Sequence, residues 1–284
     1  MAGYRLTVCL PGGARDRLVE AVGEAMAPFE IGGPRPYSDD LWIWDHWWIT
    51  GGADDGGYPI RPGHEADPRI IHDQPLRDGT RRPSRPGWCT GGPRGLLALG
   101  EPQKRAAELA GVAWDRWHEM AAEHPPGRSS EEFAPASASA SALAPETAYD
   151  VGVDTEAWYA GWERYLAQPP APAFREWAAG LPDHPDAGSF GAVLRHANDP
   201  LSTVGGRSRE EFLAFGADRA VAHGNVLTLD GWWCEEGYDP VHGACDDQDA
   251  CLHTPPYAQQ PGAGGAYLAG LPDDTLLVHV RCHV

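Results

Sequence analysis

Tyr4, Leu6, Val8 and Leu10 alternate with Arg5, Thr7 and Cys9, which is the two-residue period of a half-buried strand. A Pro-Gly-Gly turn follows, and from Ala14 to Phe29 the apolar positions Leu18, Val19, Val22, Met26 and Phe29 recur at helical spacing. The stretch from Trp42 to Ile49 is rich in aromatic and β-branched residues and is closed by Gly51 and Gly52, so it predicts a second strand. Near the other end a strand in "GNVLTLDGWW" turns at Asp230-Gly231, a Gly-weakened helix lies within "PPYAQQPGAGGAYLAGLPDD", and "TLLVHVRCHV" predicts a final strand. Strand, helix, strand at each end of the chain is the order of a ferredoxin-like split βαβ sandwich, α+β in class.

The two ends, 1–60 and 223–284, are thus expected to build the sheet sandwich of one discontinuous domain, with 61–222 as a loop-rich, mainly helical insertion. Within it, Leu109, Val112, Ala113, Trp117 and Met120 mark a helix over Pro102 to Glu123. Further helices are expected over Thr155 to Gln168, Ala173 to Ala179, Ser189 to Ala197 and Arg207 to His223, and 125–146 is of low complexity.

Alternation assigns faces. With the first and last strands antiparallel neighbours, Leu276, Val278, Val280 and Cys282 should point with Tyr4, Leu6 and Val8 toward the helices. His279, Arg281 and His283 then share the other face with Arg5, Thr7 and Cys9. On the second strand, Trp42, Trp44, His46 and Trp48 fall on that polar face, and Leu41, Ile43, Asp45, Trp47 and Ile49 on the helix side. The polar face is either solvated or roofed by the insertion into a pocket. In a pocket, His46, His279 and His283 would be candidates for acid–base catalysis near neutral pH, with Arg5, Arg281 and Trp44 binding a small polar or anionic substrate. His279 and His283 make a poor metal pair, because i and i+4 on a strand stand roughly 13 Å apart at about 3.3 Å per residue.

A second constellation is local. In "HGACDDQDACLH", His242, Cys245, Cys251 and His253 form H-x2-C-x5-C-x-H. Two thiolates and two imidazoles are the ligand set of a structural zinc. The spacing fits no standard finger, and free thiols or a Cys245–Cys251 disulfide in an acidic loop remain alternatives. Asp246, Asp247 and Asp249 lack the Gly and terminal Glu of an EF-hand loop. "CTGGPRGLL" could form an anion-binding nest but has no Lys-Ser/Thr, and hydrolase, metalloprotease and dinucleotide fingerprints are absent.

Composition narrows the picture further. A net charge of −19 over 284 residues disfavours a phosphate-tracking surface, so nucleic acid is not an expected partner. No apolar stretch reaches the length of a membrane span, and the first residues lack the basic, long-apolar pattern of a signal peptide. The expectation is a cytoplasmic protein whose six cysteines are reduced.

The motifs "YRLTVCLPGG", "WWITGG", "YPIRPGHEADPRII", "GWCTGGPRGLLAL", "VLTLDGWWCEEG" and "LPDDTLLVHVRCHV" occur in an order that resembles an uncharacterised family of hypothetical proteins from actinobacteria and their phages. The resemblance implies no known activity and assigns no residue a role. The chain departs from that pattern at Ala53-Asp54, where the family has Arg-Trp, at Arg281, where it has Asp, and in the Cys/His run around Cys245, which the family lacks. Two functions follow as expectations. One is an enzyme acting on a small polar or anionic molecule between the polar sheet face and the insertion; the other is a non-catalytic protein that binds a protein partner or serves as a phage or host accessory, with at most a structural zinc.

Overall fold

The computed structural model describes residues 3–31, 43–50, 57–72, 84–134, 155–221, 225–235, 238–245, 247–257, 260 and 262–283. It is an α+β structure that divides into two compact units, one of Met1–Glu108, His184–Gly191 and Leu213–Val284, the other of Leu109–Asp183 and Ala192–Phe212. Trp42 and most of 125–146 lie outside the described residues.

The first unit holds a mixed sheet. Its strands are β1 (Gly3–Leu10), β2 (His46–Ile49), β5 (Gly91–Pro93), β6 (Asn225–Leu227), β7 (Trp232–Glu235), β8 (Val241–His242) and β9 (Leu276–His283), in the order β2-β9-β1-β6-β7-β8 with β5 sharing the outer edge of β9. β1 runs antiparallel to β9 along its whole length and parallel to β6; every other pairing is antiparallel. β3 (Tyr58–Pro59) and β4 (Trp88–Cys89) form a separate two-stranded ladder.

This order differs from a ferredoxin-like sandwich in two respects. That fold is antiparallel throughout, with its second strand beside its third, whereas here β6 is parallel to β1 and β2 lies beyond β9. The cause of the second difference is local. β6 turns back at once through Thr228–Gly231, where Gly231 takes φ 78°, and the resulting hairpin with β7 occupies the free edge of β6. The outer edge of β9 is what remains for β2. The parallel pairing is permitted because the long connection between β2 and β6 lets the chain re-enter from the same end, which no tight hairpin could do. Since β1 and β2 are both antiparallel to β9, they form with α1 (Leu18–Met26) a split βαβ around β9.

α1 is flanked by 3₁₀ turns at Gly12–Arg17 and Ala27–Phe29, so the expected Ala14 to Phe29 helix is only partly α. It buries Leu18, Val22 and Met26 against Leu6, Val8, Val278 and Val280, each such side chain contributing about 1.5–3 kcal/mol. Phe29 and Trp233 close the core with rings 5.3 Å apart. On the opposite face Thr7 Oγ donates to the Val221 carbonyl of α7 (Arg209–Val221), and the Tyr257 hydroxyl pairs with the Cys234 thiol. The sheet unit also takes in β3–β5, well beyond residue 60, because β5 pairs with β9 and Ile71 bridges Gly91.

The second unit is helical, built on α3 (Thr155–Leu166), α4 (Ala171–Ala179), most of α5 (Phe190–Arg195), α6 (Pro200–Thr203) and the later turns of α2 (Gly100–Ala121). Trp117 packs edge-on to Phe174, and the Tyr165 hydroxyl donates to Asp199, which caps α6. Among the described residues no helix is long and apolar enough to cross a membrane.

Candidate metal centre

The β6–β7 hairpin is where the cluster begins. β8 pairs with β7 so that His242 stands opposite Trp232, and its ring stacks on the indole at 4.5 Å. The next residue must be glycine: a Cβ on Gly243 would lie 2.9 Å from the Phe29 ring and 3.0 Å from Pro28. The chain then leaves the sheet and wraps around Gln248. That side chain accepts from the His242 amide at 2.8 Å and donates to the carbonyls of His242 at 3.2 Å and Cys245 at 2.8 Å. A turn closed by Cys251 N–H to the Gln248 carbonyl brings the second half of the run back.

The result is convergence of His242, Cys245, Cys251 and His253, with one ligand atom from each within 4.8 Å of all the others. Such a group could hold a metal ion. Cys245 Sγ lies 3.3 Å from Nδ1 of both His242 and His253; Cys251 Sγ lies 3.9 and 3.7 Å from the same two atoms. Metal bonds of about 2.3 Å to sulfur and 2.0–2.1 Å to nitrogen, opened to the tetrahedral angle, separate sulfur from nitrogen by roughly 3.5 Å. The four observed separations bracket that value. Nε2 of His242 is 3.1 Å from the Asp230 carbonyl, so Nε2 carries the proton and Nδ1 presents its lone pair to the thiols. His242 is buried, the cysteines are half-buried and His253 is exposed. Both cysteines are free thiols, so the disulfide alternative is not the state of this structure.

The polar face of β9 is a different environment. Register places His46 opposite His283, Trp48 opposite Arg281, Arg281 opposite Arg5 and His279 opposite Thr7, so these side chains share one face. His279 is fully buried. Its Nδ1 is 2.8 Å from Thr50 Oγ, the Tyr58 ring meets it edge-on, and the Tyr58 hydroxyl is 2.8 Å from Thr7 Oγ. Burial, reinforced by Arg5 and Arg281, depresses its pKa to about 3, so the ring is neutral near pH 7 and has no path to a substrate proton. That corrects the expectation of His279 as an acid–base residue.

Nearer the sheet edge the strip is open. His283 Nδ1 pairs with Asp45 at 2.8 Å, His46 stacks against Trp48, and the Arg281 guanidinium sits 5.8 Å over the Trp48 ring. Trp44 is not part of it. The strand starts only at His46; before it, Trp44 bridges Glu30, just past the Ala27–Phe29 turn, and donates from Nε1 to the Met26 carbonyl. A bend at Asp45 breaks the alternation, which buries Trp44 on the helix side and turns Asp45 outward. The substrate-binding expectation for Trp44 is corrected accordingly.

Asp45, Gln248 and the Asp230 carbonyl were not among the expected site residues. Strict alternation points Asp45 inward, and nothing in "ACDDQDACLH" distinguishes Gln248 as the loop's clip. A separate cleft of about 440 Å³ lies between α1 and the β6–β7 turn; its lining is largely apolar and includes the Arg17–Glu24 pair. Comparison of the chain with protein-family models, with curated proteins and with solved structures gives no match.

Proposed function

We propose that this chain is a zinc-binding protein in which His242, Cys245, Cys251 and His253 hold one Zn²⁺ and that the metal is structural. The observation that carries the reading is the set of four sulfur–nitrogen separations of 3.3–3.9 Å, which fit a tetrahedron of two thiolates and two imidazoles. Two soft donors and two imidazoles select zinc over hard cations, and four protein ligands leave no open position for substrate. The metal would tie the end of β8 to the irregular connection toward α8 (Ala263–Gly270), a segment that offers few backbone ladders of its own. Reduced thiolates of this kind suit a reducing compartment. Elemental analysis of the full chain, expressed with zinc and freed of loosely held ions, should give one zinc per chain; a value near zero after saturation contradicts the reading.

A second reading is an acid–base site for a small polar or anionic molecule at the β2–β9 edge. It is supported by the Asp45–His283 contact, which orients an accessible imidazole beside His46 and the Arg281–Trp48 pair. Titration of the full chain with small carboxylates and inorganic phosphate, followed by the imidazole resonances of His46 and His283, tests it. Saturable shifts lost in His283→Gln support the site; unmoved resonances across the panel remove it.

A further inference from the structure

We propose, resting on the zinc reading above, that the cluster is also a peroxide-sensitive switch: oxidation of Cys245 and Cys251 to a disulfide expels the zinc. Six cysteines divide sharply by environment. Cys9, Cys89, Cys234 and Cys282 are at most 3% exposed, and burial raises their thiol pKa values, to about 11 for Cys234 and about 12 for Cys89 and Cys282. Thiols of that kind are inert. Cys245 and Cys251 are half-buried, and their sulfurs lie within 4.8 Å of each other. Coordination to zinc would keep both as thiolates, the nucleophilic form.

The backbone permits closure. From Gly243 to Tyr257 the described residues form turns and irregular chain with no strand or helix, so moving the sulfurs to the ~2.05 Å of a disulfide breaks no sheet ladder. The chemistry balances with hydrogen peroxide as oxidant. One thiolate attacks the peroxide oxygen, forming a sulfur–oxygen bond and releasing hydroxide as the O–O bond breaks. The second thiolate attacks that sulfur, the S–S bond forms, and a second hydroxide leaves. Two sulfurs are oxidised by one electron each, one peroxide is reduced by two, and two protons convert the hydroxides to water. Left with two imidazole donors, one of them exposed, the site releases Zn²⁺.

The test uses the full zinc-loaded chain and hydrogen peroxide. The expected result is one zinc released per chain, followed by a zinc-sensitive dye, together with loss of two thiols and reversal by dithiothreitol plus zinc. Asp246, Asp247 and Asp249 separate the two cysteines, so cleavage on the N-terminal side of Asp leaves peptides that stay joined only through a Cys245–Cys251 bond. Zinc retained under peroxide, or released without those joined peptides, overturns the switch and leaves the structural zinc standing. A chain that takes up no zinc overturns both.

Discussion

The His/Cys cluster and the polar strip of β9 are built from similar side chains, yet they reach their sites by opposite routes. His242, Cys245, Cys251 and His253 fall within a dozen residues, and a single loop clipped by Gln248 gathers them. His46, Arg5, His279, Arg281 and His283 come from three strands at both ends of the chain and meet only because the β2–β9–β1 register aligns them. The loop brings four sulfur and nitrogen atoms within 4.8 Å of one another, the arrangement that one shared ion would need. In the strip the contacts are pairwise: His279 Nδ1 meets Thr50, the Tyr58 ring packs edge-on against His279, and His283 pairs with Asp45. Four sulfur and nitrogen atoms within reach of one ion, rather than polarity as such, mark the stronger candidate.

The contrast can be broken most forcefully at the loop. Cys251→Ser should abolish stoichiometric zinc. In wild type, zinc held at about 1,000 times Kd adds about 4 kcal/mol, on the order of 10 °C in the melting midpoint. Calorimetry with and without chelator should show that gap in wild type and none in the variant. An equal chelator effect in both would place the metal elsewhere.

The strip should respond to pH instead. His279 titrates near 3 in the folded chain and near 6.5 unfolded, so below 6.5 the unfolded state takes up a proton that the folded state refuses. Its contribution is complete above pH 6.5 and is lost as pH falls toward 3. Urea titrations should show about 2 kcal/mol lost through this group between pH 6.5 and about 5, a slope that His279→Gln removes. An unchanged slope in the variant would mean that the ring is not sealed.

Smaller effects sharpen the comparison. Gln248→Ala leaves all four ligands in place but frees the loop, and should weaken zinc about tenfold in a competition titration with a chelating dye. Wild-type affinity would show that the cluster needs no clip. Asp45→Asn breaks only a largely exposed pair, and its unfolding free energy from urea titration should fall by less than about 1 kcal/mol. A larger loss would make the β2–β9 edge a structural linchpin.

What the sequence disclosed follows the same division. The H-x2-C-x5-C-x-H run was legible because its chemistry is local, and the periods of β1, β9 and the longer helices were legible because each buries one face. The place of β2 was not, since it depends on the β6–β7 hairpin claiming the other edge first. Trp44 was misassigned because a single bend at Asp45 shifts the phase of the alternation, and residue types alone do not announce a bend. β3, β4 and β5 are two or three residues long, too short to carry a period, and Gly91 and Gly92 gave no strand signal. The sealing of His279 depends on Tyr58, 221 residues away in sequence, and no local pattern could supply it.

The most direct test is X-ray absorption at the zinc edge of the full-length chain. The cluster predicts a first shell of two sulfurs near about 2.3 Å and two nitrogens near about 2.0–2.1 Å. A shell of oxygen and nitrogen alone, or one of four sulfurs, would contradict it.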